Sequence, residues 1–100
     1  MIMRVASMTR PGDLAGSIAN RLRDARDGYL APSDDGTTSI QAIGAAAVNQ
    51  AMKGAATARR LLNGEGIDFV LVPHWVTIDG GEGREISALR FEVRVNGGEG

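Results

Sequence analysis

Ten arginines and one lysine are the side chains of this chain best equipped for chemistry, and the chemistry they suit is anion binding. Four of these cations stand in separate parts of the sequence. Arg10 lies between a short apolar segment and a helical one, Lys53 and Arg60 lie within a second helical segment, and Arg84 sits at the end of a glycine-rich hairpin. In the second helical segment Asn49, Gln50, Lys53, Thr57 and Arg60 recur at spacings of one, three and four, which aligns them on one exposed stripe. The spacing predicts a nucleic-acid-binding face built from Arg10, Asn49, Lys53, Arg60 and Arg84. The competing reading of the same charges is a solvated surface. Gly44, after a strand and before a helix, stands where backbone N–H groups can capture an anion. A tight turn explains the same glycine.

The residues for catalysis are sparse. His74 is the single histidine, flanked by Pro73 and Trp75, with no partner or pocket specified around it. There is no cysteine, so thiolate chemistry is absent; no triad is proposed around His74, and one histidine without cysteine argues against a structural zinc site. Asp79 and Glu82 share a turn, but their spacing matches no calcium loop. Gly64-Glu65-Gly66 follows a helix and Gly81-Glu82-Gly83 lies in a hairpin, neither the order of a dinucleotide fingerprint. The expectation is a protein that is not an enzyme, with no catalytic residue, metal site or cofactor.

These residues need a scaffold, and the chain is long enough for one. One hundred residues, 43% hydrophobic and 23% charged, fit a single globular domain. Eleven basic residues against twelve acidic ones give a net charge of −1, which lowers the expectation of non-specific nucleic-acid binding without removing a local basic face. No signal peptide or membrane span is read in the sequence, so the expected location is cytoplasmic, with no membrane partner.

Ile2 to Met8 is β-compatible and ends in a Pro11-Gly12 turn. Leu14, Ile18, Leu22 and Ala25 then follow a helical repeat, with Arg21, Asp24 and Asp27 on the opposite, solvent side, until Gly28 stops the helix. Asp27 to Thr38 reads as an exposed loop. Ser39 to Ile43 is a second strand and Gly44 to Leu62 a second helix, opened by the bare Ala45-Ala46-Ala47. Val48, Met52, Ala55 and Leu62 form its other face. Ile67 to Ile78 is a third strand with a bulge or bend expected at Pro73-His74-Trp75. After the Asp79–Gly83 turn, the segment from Arg84 to Val95 alternates, with Leu89, Phe91, Val93 and Val95 on one face and Ala88, Arg90, Glu92 and Arg94 on the other. This β-α-β-α-β-β order implies one mixed sheet with both helices on one face and the other face solvated. Residues 1–96 form the domain, with an extended surface loop at 27–38, and 97–100 read as a flexible tail.

The stretches SIQAIGAAAVNQAMKGAATARRLL, IDFVLVPHW and GREISALRFEV, with RVASMTRPGDLAGSIANRLR at the start, closely resemble the stage V sporulation protein S family. The resemblance implies an α+β, Alba-like two-layer sandwich with a mixed four-stranded sheet. It also implies a small bacterial regulatory protein of sporulation that acts as a homodimer and binds nucleic acid, DNA or RNA. The alternative is a non-enzymatic scaffold that binds a protein partner or a small nucleotide ligand. Two departures count. The 27–38 loop is longer than expected, and its Asp34-Asp35 pair would repel phosphate near a binding face. Ile43 and Ala45 also stand where archaeal Alba proteins carry basic residues. The bare helix is therefore expected to serve close packing between subunits.

Overall fold

The structure, a computed structural model, describes residues 1–96; the expected tail at 97–100 lies outside them. Four strands and two long helices follow the anticipated order: β1 (Ile2–Val5), α1 (Pro11–Asp27), β2 (Ser39–Ala42), α2 (Ala45–Leu62), β3 (Phe69–Gly81) and β4 (Arg84–Val95). The sheet order is β1-β2-β4-β3, with β1 and β2 parallel and the other pairs antiparallel. β1 stops at Val5 because the chain turns back: Thr9 N–H bonds the Ala6 carbonyl, and Ala6 N–H bonds the Thr9 hydroxyl. Pro11 then starts α1, where its missing N–H costs nothing. Gly28, at φ 78°, ends the helix in the left-handed conformation.

The register of β3 corrects one expectation. Pro73, His74 and Trp75 pair in unbroken sequence with Phe91, Arg90 and Leu89, and the only irregularity in that pairing lies between Asp79 and Gly81. The proline needs no bulge because β3 is an edge strand. Glu82 and Gly83 form the hairpin turn with φ of 55° and 75°, the positive pair of a type I′ turn. β2 ends opposite Leu89, so residues 76–88 continue past the sheet as a two-stranded arm. From Leu89 to Arg84 the arm extends about 17 Å.

The core lies between the helices and β1, β2 and β4, with Ile18, Ile40 and Leu62 its largest fully enclosed side chains. The bareness of α2 has its cause within the chain. Ala47, Ala51, Gly54, Ala55 and Ala58 are all buried, and a Cβ at Gly54 would stand 2.6 Å from Leu14 Cδ2 and 2.9 Å from its Cγ. Small residues here let α2 settle onto α1. Gly54→Ala therefore sets an overpacking cost of about 1–3 kcal/mol against about 1 kcal/mol gained in helix propensity. The expected result is a net loss of about 1 kcal/mol, and more for Gly54→Val, read as a lower urea midpoint at constant m-value. Of the residues expected on the packed face, Ala55 and Leu62 are buried, Val48 is half-buried and Met52 is exposed.

Arg21 is the clearest departure. Helical periodicity places it toward solvent, yet it is buried, with 8% of its surface exposed. Its Nε donates to Thr38 Oγ1 at 3.0 Å, and its Nη2 donates to Asp34 Oδ1 at 2.8 Å and to the Thr37 carbonyl at 2.9 Å. Its Nη1 donates to Asp34 Oδ2. Asp35 in turn accepts from the Thr37 N–H and hydroxyl. The 27–38 segment is thus fastened to α1 through Asp34, Thr37 and Thr38, while Asp35 braces it from within.

Candidate nucleic-acid interface

Strand direction decides which cations meet. β1 and β2 run the same way, so the loop that follows β1 and Gly44 after β2 lie at one end of the sheet, the end past which the arm projects. Gln50 Nε2 donates to the Thr9 carbonyl at 2.9 Å, fastening α2 to the loop that carries Arg10. Arg10 is thereby held beside the N-terminal half of α2, which carries Asn49 and Lys53. Arg60 follows on the same stripe two turns beyond Lys53, about 10 Å along the axis. Arg84 stands apart at the arm tip. Gly44 has φ 88° and open space around it, so its positive φ, which favours glycine, accounts for the residue as a turn.

Ion pairing sorts the cations into two groups. Arg21, Arg23, Arg26, Arg59 and Arg94 each bridge a carboxylate. Arg59 meets Asp68 at 2.7 Å, and the resulting hydrogen bond, helped by the Phe69 N–H, holds that carboxyl down at about 2. Arg23 and Arg26 likewise hold Glu65 below its ordinary range. Arg10, Lys53, Arg60 and Arg84 have no carboxylate partner among the described residues, and neither do Arg4 and Arg90. All four cations singled out by sequence belong to the unpaired group. The arm has an opposing character: it carries Asp79, Glu82 and Glu85 with Arg84, three carboxylates against one guanidinium, a formal −2 over residues 76–88.

An apolar groove adjoins the cations. α2 packs on α1, β1 and β2, which leaves the flank of β3 on the helix side uncovered. There Val48, Met52, Trp75 and Leu89 line a pocket of about 540 Å³. A second hollow of about 420 Å³ continues past Met52 to Phe69 and Leu71. Trp75 is 76% exposed. Strand alternation alone gave no reason to single out Trp75, because its exposure follows from where α2 lies. His74, on the opposite sheet face, sits 3.5 Å from Glu92. No described helix is long and apolar enough to cross a membrane, and no described group of three or more His, Asp or Glu side chains is placed to hold a metal ion.

The family model for Stage V sporulation protein S (SpoVS) matches residues 1–96. The chain belongs to that family.

Proposed function

We propose that this stage V sporulation protein S family member is a small dimeric bacterial regulatory protein that binds nucleic acid. The observation that carries the reading is the sorting of the cations: among the described residues Arg10, Lys53, Arg60 and Arg84 have no carboxylate partner, while five other arginines are neutralised. Unpaired surface cations supply phosphate contact at no cost of breaking ion pairs. A second copy seated on the groove of Val48, Met52, Trp75 and Leu89 would cover the exposed apolar surface. It would also bring two sets of Arg10, Asn49 and Lys53 into one shared basic face, since two-fold pairing uses the same patch on both copies.

A scaffold that binds a protein partner is the second reading, favoured by the acidic arm beside the same groove. Fluorescence anisotropy with a labelled duplex and a labelled single strand at low salt separates the two. Binding that weakens steeply with salt supports the first reading. An unchanged anisotropy with both probes, together with one stoichiometric protein partner that resists nuclease in a pull-down, supports the second.

The dimer has its own probe, because Trp75 is the single tryptophan. Its emission should shift to the blue as protein concentration rises through the dimer dissociation constant. Met52→Asp, with a charge in the groove, should hold the emission red-shifted and sedimentation at the monomer mass. A wild-type chain that sediments as a monomer at high concentration would rule the dimer out.

A further inference from the structure

The helix-free face of the sheet carries a row of donor side chains with few carboxylates to receive them among the described residues. Register places Arg4 of β1 beside Gln41 of β2, Gln41 beside Arg90 of β4, and Arg90 beside His74 of β3. Directly paired residues share a face, so the four side chains form one line across the sheet. Arg90 donates from Nε and Nη2 to Gln41 Oε1, at 3.1 and 2.6 Å. Because arginine only donates, this contact fixes which way the Gln41 amide faces. Gln41 has 6% of its surface exposed, and its Nε2, which has no acceptor among the described residues, opens onto this face, since no fully enclosed polar side-chain atom is left without a partner there. Arg4 and the half-buried Arg90 have no carboxylate partner there either.

Glu92 is the one carboxylate among the strand residues of this face, and it is already engaged by Arg94 at 3.0 Å and by His74 at 3.5 Å. Its carboxyl is held below the ordinary range by Arg94 first, so it stays ionised and paired. Three arginines and one glutamate leave the face a formal +2. An incompletely neutralised guanidinium against a sheet is favourable when an anion completes its bonding.

We propose that the Arg4–Gln41–Arg90–His74 row is a binding site for a phosphate group, distinct from the Arg10 and Lys53 face. Arg4 and Arg90 stand on either side of Gln41, roughly 10 Å apart at the backbone. Two arginine side chains can close that span over one tetrahedral oxyanion, each presenting a forked pair of N–H groups. The Gln41 amide supplies the donor at the floor. The face offers no Phe, Tyr or Trp from its strands on which a base would stack, so recognition rests on the phosphate. The phosphate can come from a free nucleotide or from a nucleic-acid backbone.

The test is an NMR titration of the full chain with inorganic phosphate, with a mononucleotide, and with a short oligothymidylate, following the backbone amides and arginine Nε–H signals. Shifts that saturate at Arg4, Gln41, Arg90 and His74 are expected. Saturation by the mononucleotide at lower concentration than the oligomer identifies a small ligand, and the reverse order identifies a phosphodiester chain. Arg4→Gln with Arg90→Gln should weaken binding roughly tenfold or more, and Arg10→Gln with Lys53→Gln should leave the shifts in place. Gln41→Glu provides a second variant should loss of both arginines unfold the chain. It retains every cation, supplies an internal counter-ion, and should abolish the shifts while raising the melting temperature. No shift on this row with any of the three probes, or shifts confined to Arg10 and Lys53, would overturn the proposal.

Discussion

Arg21→Ala should lower stability by about 3 kcal/mol, the low end for breaking a buried ion pair, which for a domain of this size lowers the melting temperature by roughly 12–24 °C. The guanidinium satisfies Asp34, the Thr38 hydroxyl and the Thr37 carbonyl at once. Its loss leaves the Thr38 hydroxyl buried without this donor and unfastens the 27–38 segment from α1. The low end applies because the Asp34 side chain is 24% exposed and regains water once its partner is gone. Arg21→Lys keeps the charge without the fork and should recover only part of the loss. Hydrogen exchange at the amides of 34–38 distinguishes a released loop from a global effect: those amides should exchange faster in Arg21→Ala even at temperatures far below its midpoint.

The same contact has a pH signature. The hydrogen bond from Arg21, then the Gly36 N–H, holds the Asp34 carboxyl well below its ordinary 3.8. A carboxyl whose folded value is depressed contributes its full stability above the unfolded value, and that contribution is lost as pH falls toward the folded one. The gap between wild type and Arg21→Ala should thus be constant near neutrality and narrow as pH drops below 3.8. Asp68, held at about 2 by Arg59, drains over the window between 3.8 and 2 in both proteins and serves as the internal reference. Urea midpoints collected from pH 7 to pH 2.5 read both effects. A gap that stays constant to the acid end would assign the stabilisation of Arg21 to packing of its aliphatic stem.

Periodicity carried the fold because apolar spacing and glycine punctuation agree along this chain: Leu14, Ile18 and Leu22 repeat as a helix, Gly28 stops it, and Leu89, Phe91 and Val93 alternate as a strand. The failures share a physical cause. Arg21 looks solvent-facing in a helical repeat because its partners, Asp34, Thr37 and Thr38, lie in an aperiodic segment and meet it only in three dimensions. Alanine is neutral about what it packs against, so the bareness of α2 was legible while its partner, Leu14 of α1, was not. The donor row needed the strand order β1-β2-β4-β3, since Arg4, Gln41, Arg90 and His74 are unremarkable until the sheet aligns them. Arg10 was singled out because it flanks an element boundary, where topology brings chain segments together, and Asn49 and Lys53 because helical spacing aligns them on one exposed stripe.

Neutralising Arg10 and Lys53 should weaken duplex binding and flatten its salt dependence. In the proposed dimer Arg10→Gln with Lys53→Gln removes two cations from each copy, four in all. Each phosphate contact contributes about 0.9 to the slope of log affinity against log salt on a duplex and about 0.7 on a single strand. The slope should therefore become shallower by roughly 3–4 on duplex DNA, with affinity falling most at low salt. Arg23→Gln with Arg59→Gln is the matched control: it removes the same formal charge from residues already bridged to Glu65 and Asp68, and the slope should hardly move. Net charge alone predicts equal effects from the two pairs, so the comparison separates a local face from a general attraction. Arg84→Gln should cost less than Arg10→Gln, because the arm that carries Arg84 has a formal charge of −2 and repels phosphate as a whole. Glu82→Gln should then strengthen binding if the arm approaches the phosphates. If Glu82→Gln leaves affinity unchanged while Arg10 and Lys53 dominate, the arm does not touch nucleic acid, and its carboxylates remain available to the protein partner of the alternative reading.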